Sequence, residues 1–115
     1  NQVIAESGNV SIANHDPTGH AEIIVLRKAA KAKKNHRIGG TLVVTLEPCV
    51  MCMGAMIQAR IETLIFGAFD PRSGAAGSAF DLSDSSDLNH KINVLGGVME
   101  NECKALMQNF FKSRR

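Results

Sequence analysis

No run of about eighteen apolar residues occurs in this chain, and no charged leader followed by an apolar stretch opens it, so neither a membrane-spanning helix nor a secretory signal is legible. A cytoplasmic protein without membrane contact is the default expectation. Net charge is scarce as well: 13 Lys and Arg against 11 Asp and Glu leave +2, too little by itself to argue for a nucleic-acid partner. Cysteine is limited to 3 residues, an odd number that fits a reducing compartment and excludes a disulfide framework. A second Cys-x-x-Cys or His-x-His pair is missing too, which removes the four-ligand zinc ribbon. With 115 residues and 44% hydrophobic content, the chain has room for one domain with a real core and none for a second.

What is present centres on Leu46-Glu47-Pro48-Cys49-Val50-Met51-Cys52, read together with His20-Ala21-Glu22 upstream. Two thiols and an imidazole make three ligands suited to zinc, with a fourth position open to water. Pro48 suits the first turn of a helix, where its missing N–H costs nothing, and Cys49 and Cys52 then share one helical face at i and i+3. A helix N-terminus together with a metal draws both thiols toward thiolate. Cys-x-x-Cys alone also suits a redox pair or half of a structural zinc site. Glu22 is the residue such a structural site would not need. The combined pattern, His-x-Glu with Pro-Cys-x-x-Cys, resembles the zinc nucleobase deaminases, in which metal-activated water attacks the ring carbon bearing the exocyclic amine and the glutamate carries the proton.

Along the chain, Val3 to Glu6 reads as a short strand. Asp16-Pro17-Thr18 reads as a helix start with Asp16 as N-cap, the helix running to about Lys34 with His20 and Glu22 in its first turn. Ile23, Leu26, Arg27 and Ala30 lie on one side, and Lys28, Lys31, Lys33 and Lys34 populate the others as a solvated face. Residues two apart do not share a helical face, so His20 and Glu22 can serve one centre only if the helix points at it end-on. After a turn at Gly39-Gly40, Thr41 to Leu46 is a strand buried on both faces, the cysteine helix follows through Met56 and Ala59, and Thr63 to Ala68 is a second buried strand. That order implies a right-handed crossover and a parallel pair, with the site beyond the strands' carboxyl ends near His20, Cys49 and Asp70. Residues 70–90 form a long polar connection, either functional or a mobile surface excursion. Ile92 to Leu95 reads as an edge strand. A last helix from Glu100 to about Ser113 carries Cys103, Leu106, Met107, Phe110 and Phe111 at core spacing, which makes Cys103 a small packing residue rather than a ligand.

The whole chain resembles the bacterial tRNA-specific adenosine deaminases of the zinc-dependent cytidine/deoxycytidylate deaminase superfamily. The residues that carry the resemblance are Asp16-Pro17-Thr18-x-His20-Ala21-Glu22-Ile23, Thr45-Leu46-Glu47-Pro48-Cys49-x-Met51-Cys52-x-Gly54-Ala55, Gly74-Ala75-Ala76-Gly77-Ser78, Leu88-Asn89-His90 and Phe110-Phe111-x-x-Arg114-Arg115. Gly19 and Met53 depart from the family pattern without touching the ligand set. The resemblance implies a three-layer α/β/α cytidine-deaminase-like fold, a mixed central sheet with helices on both faces, and residues 1–115 as a single deaminase domain. It further implies an N-terminal helix and first strand ahead of Asn1. It implies one Zn2+ held by His20, Cys49 and Cys52, Glu22 as proton shuttle, and Asn9 on the flipped purine. Asp70, Arg72, Asn89, Phe110 and Arg114 would handle neighbouring nucleotides of a tRNA anticodon stem-loop, and the enzyme would act as a homodimer. The expected reaction is conversion of wobble adenosine to inosine. A free-base or nucleoside deaminase acting on guanine or cytidine shares the zinc segments, and a noncatalytic RNA-binding zinc subunit is the other alternative. The Phe-Phe-x-x-Arg-Arg ending speaks against the first and the presence of Glu22 against the second.

Overall fold

In the computed structural model the chain is described at residues 2–9, 11 and 13–113, with side chains described as far as Asn109. Three strands, β1 (Thr41–Leu46), β2 (Thr63–Ala68) and β3 (Asn93–Leu95), form one sheet in the order β1-β2-β3. Helices α1 (Ala21–Lys33) and α2 (Val50–Gln58) cover one face, and α3 (Glu100–Ser113) lies across β1 and β2. Both ladders are parallel, with Leu42 opposite Leu64 and Val44 opposite Phe66 in the first and Leu64 opposite Val94 in the second. The mixed sheet expected above is thus represented among the described residues by its parallel part. β3 takes the edge, as its short apolar run implies.

Register explains the layers. Leu42, Leu64 and Phe66 point to one face and pack with Met53, Met56 and Ile57 of α2 and Leu26 and Ala29 of α1. Met53, Met56 and Leu64 are fully buried, and each such side chain contributes about 1.5–3 kcal/mol through removal from water. On the opposite face a Cβ at Gly67 would collide with Cys103, and the Thr45 hydroxyl donates to the sulfur of Met107, so α3 rides close over the carboxyl half of β1 and β2. Cys103 is therefore a half-buried packing residue, as its spacing indicates, whereas Leu106 is 58% exposed because α3 turns it off the sheet. The turn at Gly39 and Gly40 has φ +68 and +74, the left-handed region that glycine occupies without strain.

Four expectations need correction. β1 is not buried on both faces: Leu42 is buried against the helices α1 and α2, whereas Val43 on the other face is 67% exposed. Residues 3–6 form no strand: they have no ladder partner among the described residues, Val3 is 76% exposed, and a strand exists only through its pairing. A groove of about 490 Å³ lies between this segment, α1 and the outer edge of β1. The first helix starts at Ala21, not Pro17, because the Asp16 Oδ1 atom accepts from both the N–H and the hydroxyl of Thr18, a local turn that competes with a helical one. Arg27 is exposed, and the buried face of α1 is Ile23, Leu26 and Ala29. The four lysines Lys28, Lys31, Lys33 and Lys34 are exposed, in keeping with a solvated face.

Candidate metal centre and the loop beside it

The later start of α1 makes His20 its N-cap residue, with φ −66 and ψ 149. Cys49 holds the same position on α2, with φ −78 and ψ 178, so Pro48 precedes the cap instead of opening the helix. Neither side chain makes a cap hydrogen bond. Both are thus free to face a shared ligand, and both helices bring their positive N-terminal ends to the same place. This is the end-on geometry that the His-x-Glu spacing requires.

The Nδ1 of His20 lies 3.7 Å from Cys49 Sγ and 3.5 Å from Cys52 Sγ, and the three ligand atoms are all within 4.8 Å of one another. Tetrahedral bonds of about 2.3 Å to sulfur and about 2.0 Å to nitrogen place sulfur and nitrogen roughly 3.5 Å apart and the sulfurs roughly 3.8 Å apart. The donor set fits zinc. Burial pushes the Cys52 thiol up, and the neighbouring Glu22 and Cys49 charges push it further the same way. Burial and the neighbouring negative charges thus oppose ionisation of Cys52, and a cation between the sulfurs would favour it. Glu22 is half-buried in the first turn of α1, and its charge is one of the influences that raise the Cys52 thiol.

The site lies at the carboxyl ends of the parallel pair, where Glu47 N–H donates to Ala68 O and the chain leaves β1 for α2. Here sequence reasoning overlooked a residue. Glu47 is 3% exposed, and its Oε1 accepts from the Asp70 N–H at 3.0 Å and the Ser78 hydroxyl at 2.5 Å. Its Oε2 accepts from the N–H groups of Ala76 at 3.0 Å and Ser78 at 3.1 Å. Burial raises the Glu47 carboxyl, but the Ser78 hydroxyl and the three backbone N–H groups outweigh it and hold the group below its ordinary value. Ala75 N–H donates to Pro48 O, and Ala75 is fully buried. The connection at 70–78 is therefore an ordered part of the site rather than a loose surface excursion. Farther along it, His90 Nε2 bonds Ile61 O at 2.7 Å and Ile92 N–H donates to Ser83 O.

The remaining candidates are placed more loosely. Asp70 follows β2 by two residues and its Oδ1 accepts from the N–H groups of Arg72 and Ser73, so that oxygen closes a turn. Arg72 and Asn89 are exposed. Asn9 is exposed before α1, its Oδ1 taken by the Ser11 N–H. Phe110 lies on α3 with its side chain outside the description, and Arg114 falls outside the described residues.

The MafB19-like deaminase family matches residues 1–115. The tRNA-specific adenosine deaminase of Haemophilus influenzae is 48% identical over 114 residues, which are 98% of this chain and 66% of that protein. The tRNA-specific adenosine deaminase of Bacillus subtilis is 40% identical over 115 residues, 99% of this chain and 71% of that one. Among solved structures, a tRNA deaminase studied for A-to-I editing at the wobble position of transfer RNA superposes with a TM-score of 0.86 at 42% identity, covering 90% of this chain and 76% of its own. A guanine deaminase from Nitrosomonas europaea shares the fold alone, at a TM-score of 0.73 and 23% identity over 90% of this chain and 63% of its own. The cytidine-deaminase-like architecture, the ligand spacing and these similarities agree: the chain belongs to the MafB19-like deaminase family, on its tRNA-specific adenosine deaminase branch.

Proposed function

We propose that this chain catalyses hydrolytic deamination of adenosine to inosine at the wobble position of a tRNA anticodon, with residues 1–115 acting as one deaminase domain. The observation that carries the reading is the convergence of His20, Cys49 and Cys52 at two helix N-termini, with Glu22 half-buried in the first turn of the same helix that His20 caps, in a chain of this family. His20, Cys49 and Cys52 would hold one zinc ion, which supplies Lewis acidity and makes water a nucleophile near neutral pH. Glu22 takes the proton from the attacking water and returns it to the departing amine. Across the reaction a C–O bond replaces the C–N bond at C6 of the purine, and ammonia leaves.

Asn9 would contact the extruded purine, while Asp70, Arg72, Asn89, Phe110 and Arg114 would meet its neighbours on the anticodon stem-loop. Support comes from the exposure of Arg72 and Asn89 and from the tie between Asp70 and the start of α2 through Glu47. A homodimer is the proposed assembly, supported by apolar side chains left at the surface, among them Val50, Phe69 and Met99. Because tRNA is the substrate, the cytoplasm is the proposed compartment, and among the described residues no helix is long and apolar enough to cross a membrane.

The test is sequencing of tRNA wobble positions after incubation with purified protein, run beside ammonia release from guanine and cytidine. Inosine at an anticodon adenosine is the expected result. Ammonia from a free base or nucleoside, with no inosine in tRNA, would replace this reading with that of a small-molecule deaminase.

A further inference from the structure

A buried carboxylate needs partners, and among the described residues those of Glu47 come from one place: the segment 70–78 supplies three backbone N–H groups and a hydroxyl. Four charge-assisted bonds satisfy both oxygens, in a position 3% exposed. Glu47 precedes Cys49 by only Pro48, whose own carbonyl takes the Ala75 N–H. Gly74 completes the cradle, since a Cβ there would run into the Glu47 carboxyl. The same short segment presents the exposed side chains of Arg72 and Ser73 to solvent.

We propose that Glu47 is a positioning residue for the RNA substrate, holding the 70–78 loop at a set distance from the metal-bearing end of α2 so that the loop's exposed side chains meet the strand flanking the reacting base. The inference rests on the proposed RNA reading of the site. Glu47 touches neither the reacting atoms nor the metal ligands' side chains in this role; it acts through the loop. Contacts to the flanking nucleotides are made alike before and during the chemical step, so a loosened loop weakens capture of the substrate more than the chemistry itself.

Glu47→Gln is the discriminating variant because it keeps the shape and removes the second acceptor. Turned one way, its amide NH2 faces the Asp70 N–H; turned the other, it faces the N–H groups of Ala76 and Ser78, so at least one backbone donor loses its partner. Ser78→Ala, which removes only the hydroxyl bond, is the milder companion should the first variant fold poorly. Amide hydrogen exchange of Glu47→Gln should speed about tenfold or more within 70–80 while β1, β2 and α2 keep their protection. With an anticodon stem-loop, KM should rise about fivefold or more, kcat should fall less than about twofold, and zinc content should match the parent. Ser78→Ala should show the same pattern at smaller amplitude.

Unchanged exchange in the loop would overturn the proposal, as would a uniform loss of protection. So would a fall in kcat or zinc content at constant KM, which would make Glu47 part of the chemistry or of the general framework. The exchange measurement requires no RNA, so failure to deaminate tRNA would sink the functional reading while the loop anchor was still decided by its protection pattern.

Discussion

His20 Nδ1 lies 3.5 Å from Cys52 Sγ, although 32 positions of chain separate the two residues. An imidazole and a thiol at this spacing, with a second thiol 3.7 Å from the same nitrogen, leave the separation that a tetrahedral zinc site demands. The chain is therefore expected to carry about one zinc per polypeptide when prepared without chelator. His20→Ala or Cys52→Ser should lower zinc to about a tenth of that or less and reduce Tm, since the metal binds the folded arrangement and not the open chain. Metal analysis beside thermal melting checks this, and a chelator-free protein devoid of zinc would remove the metal from the account.

Glu22 is not among the three clustered ligands, yet its carboxyl is close enough to raise the Cys52 thiol. Glu22→Gln should therefore retain zinc and fold. Turnover should fall by about 10²-fold to 10⁴-fold, the usual share of a positioned proton carrier. Zinc content and kcat measured on one preparation decide the matter: persistent turnover would assign the proton to another group, and lost zinc would make Glu22 a ligand.

The clustering of the candidate ligands was readable because their side chains are its signature. Spacing named His20, Cys49, Cys52 and Glu22, and the apolar runs at Thr41–Leu46 and Thr63–Ala68 marked β1 and β2 to the residue. The periodic last helix likewise begins at Glu100 as its pattern indicates. What escaped depended on backbone atoms. Nothing about residues 70, 76 and 78 announces that their N–H groups converge on Glu47, although Gly74, with no room for a Cβ, is the trace such an approach leaves. The start of α1 escaped for a related reason: Asp16 offers its carboxylate equally to a helix or to a turn, and only the bonds to Thr18 show which one won. Val3 to Glu6 has strand-like composition, but composition cannot supply a ladder partner.

Gly67 is the point at which α3 approaches the sheet most demandingly. A methyl group there would meet both Cβ and Sγ of Cys103 and lie 3.1 Å from the Thr45 carbonyl oxygen. Gly67→Ala should destabilise the fold by about 1–3 kcal/mol, the range for overpacking a well-filled contact. Adding Cys103→Ala should recover part of that loss, because the sulfur is the nearest obstacle. Urea unfolding of both single variants and the double variant checks it; strictly additive losses would mean that helix and strand separate independently of this contact.

Asp16 links the acid stability of the fold to the residue that leads into the metal site. The Thr18 hydroxyl at 2.7 Å and the Thr18 N–H at 2.9 Å both donate to its Oδ1. They hold its carboxyl below the ordinary value, with burial opposing weakly and the Arg27 charge assisting. A carboxyl depressed in the folded chain stabilises through its ionised form. Its contribution is complete above the unfolded value of about 3.9 and disappears as pH falls through the lower folded value. The N–H of Gly19 donates to Asp16 O in the same turn, so loosening it also frees the approach to His20. Asp16→Ala should therefore melt below the parent at neutral pH, and the gap should close as pH drops below about 3.9. Carbon-detected NMR of the Asp16 carboxyl gives the folded midpoint directly, and melting of parent and variant across the same range gives its effect on stability. A gap that stays constant down to the lowest pH at which both chains fold would show that the turn depends on the shape of Asp16 and not on its charge.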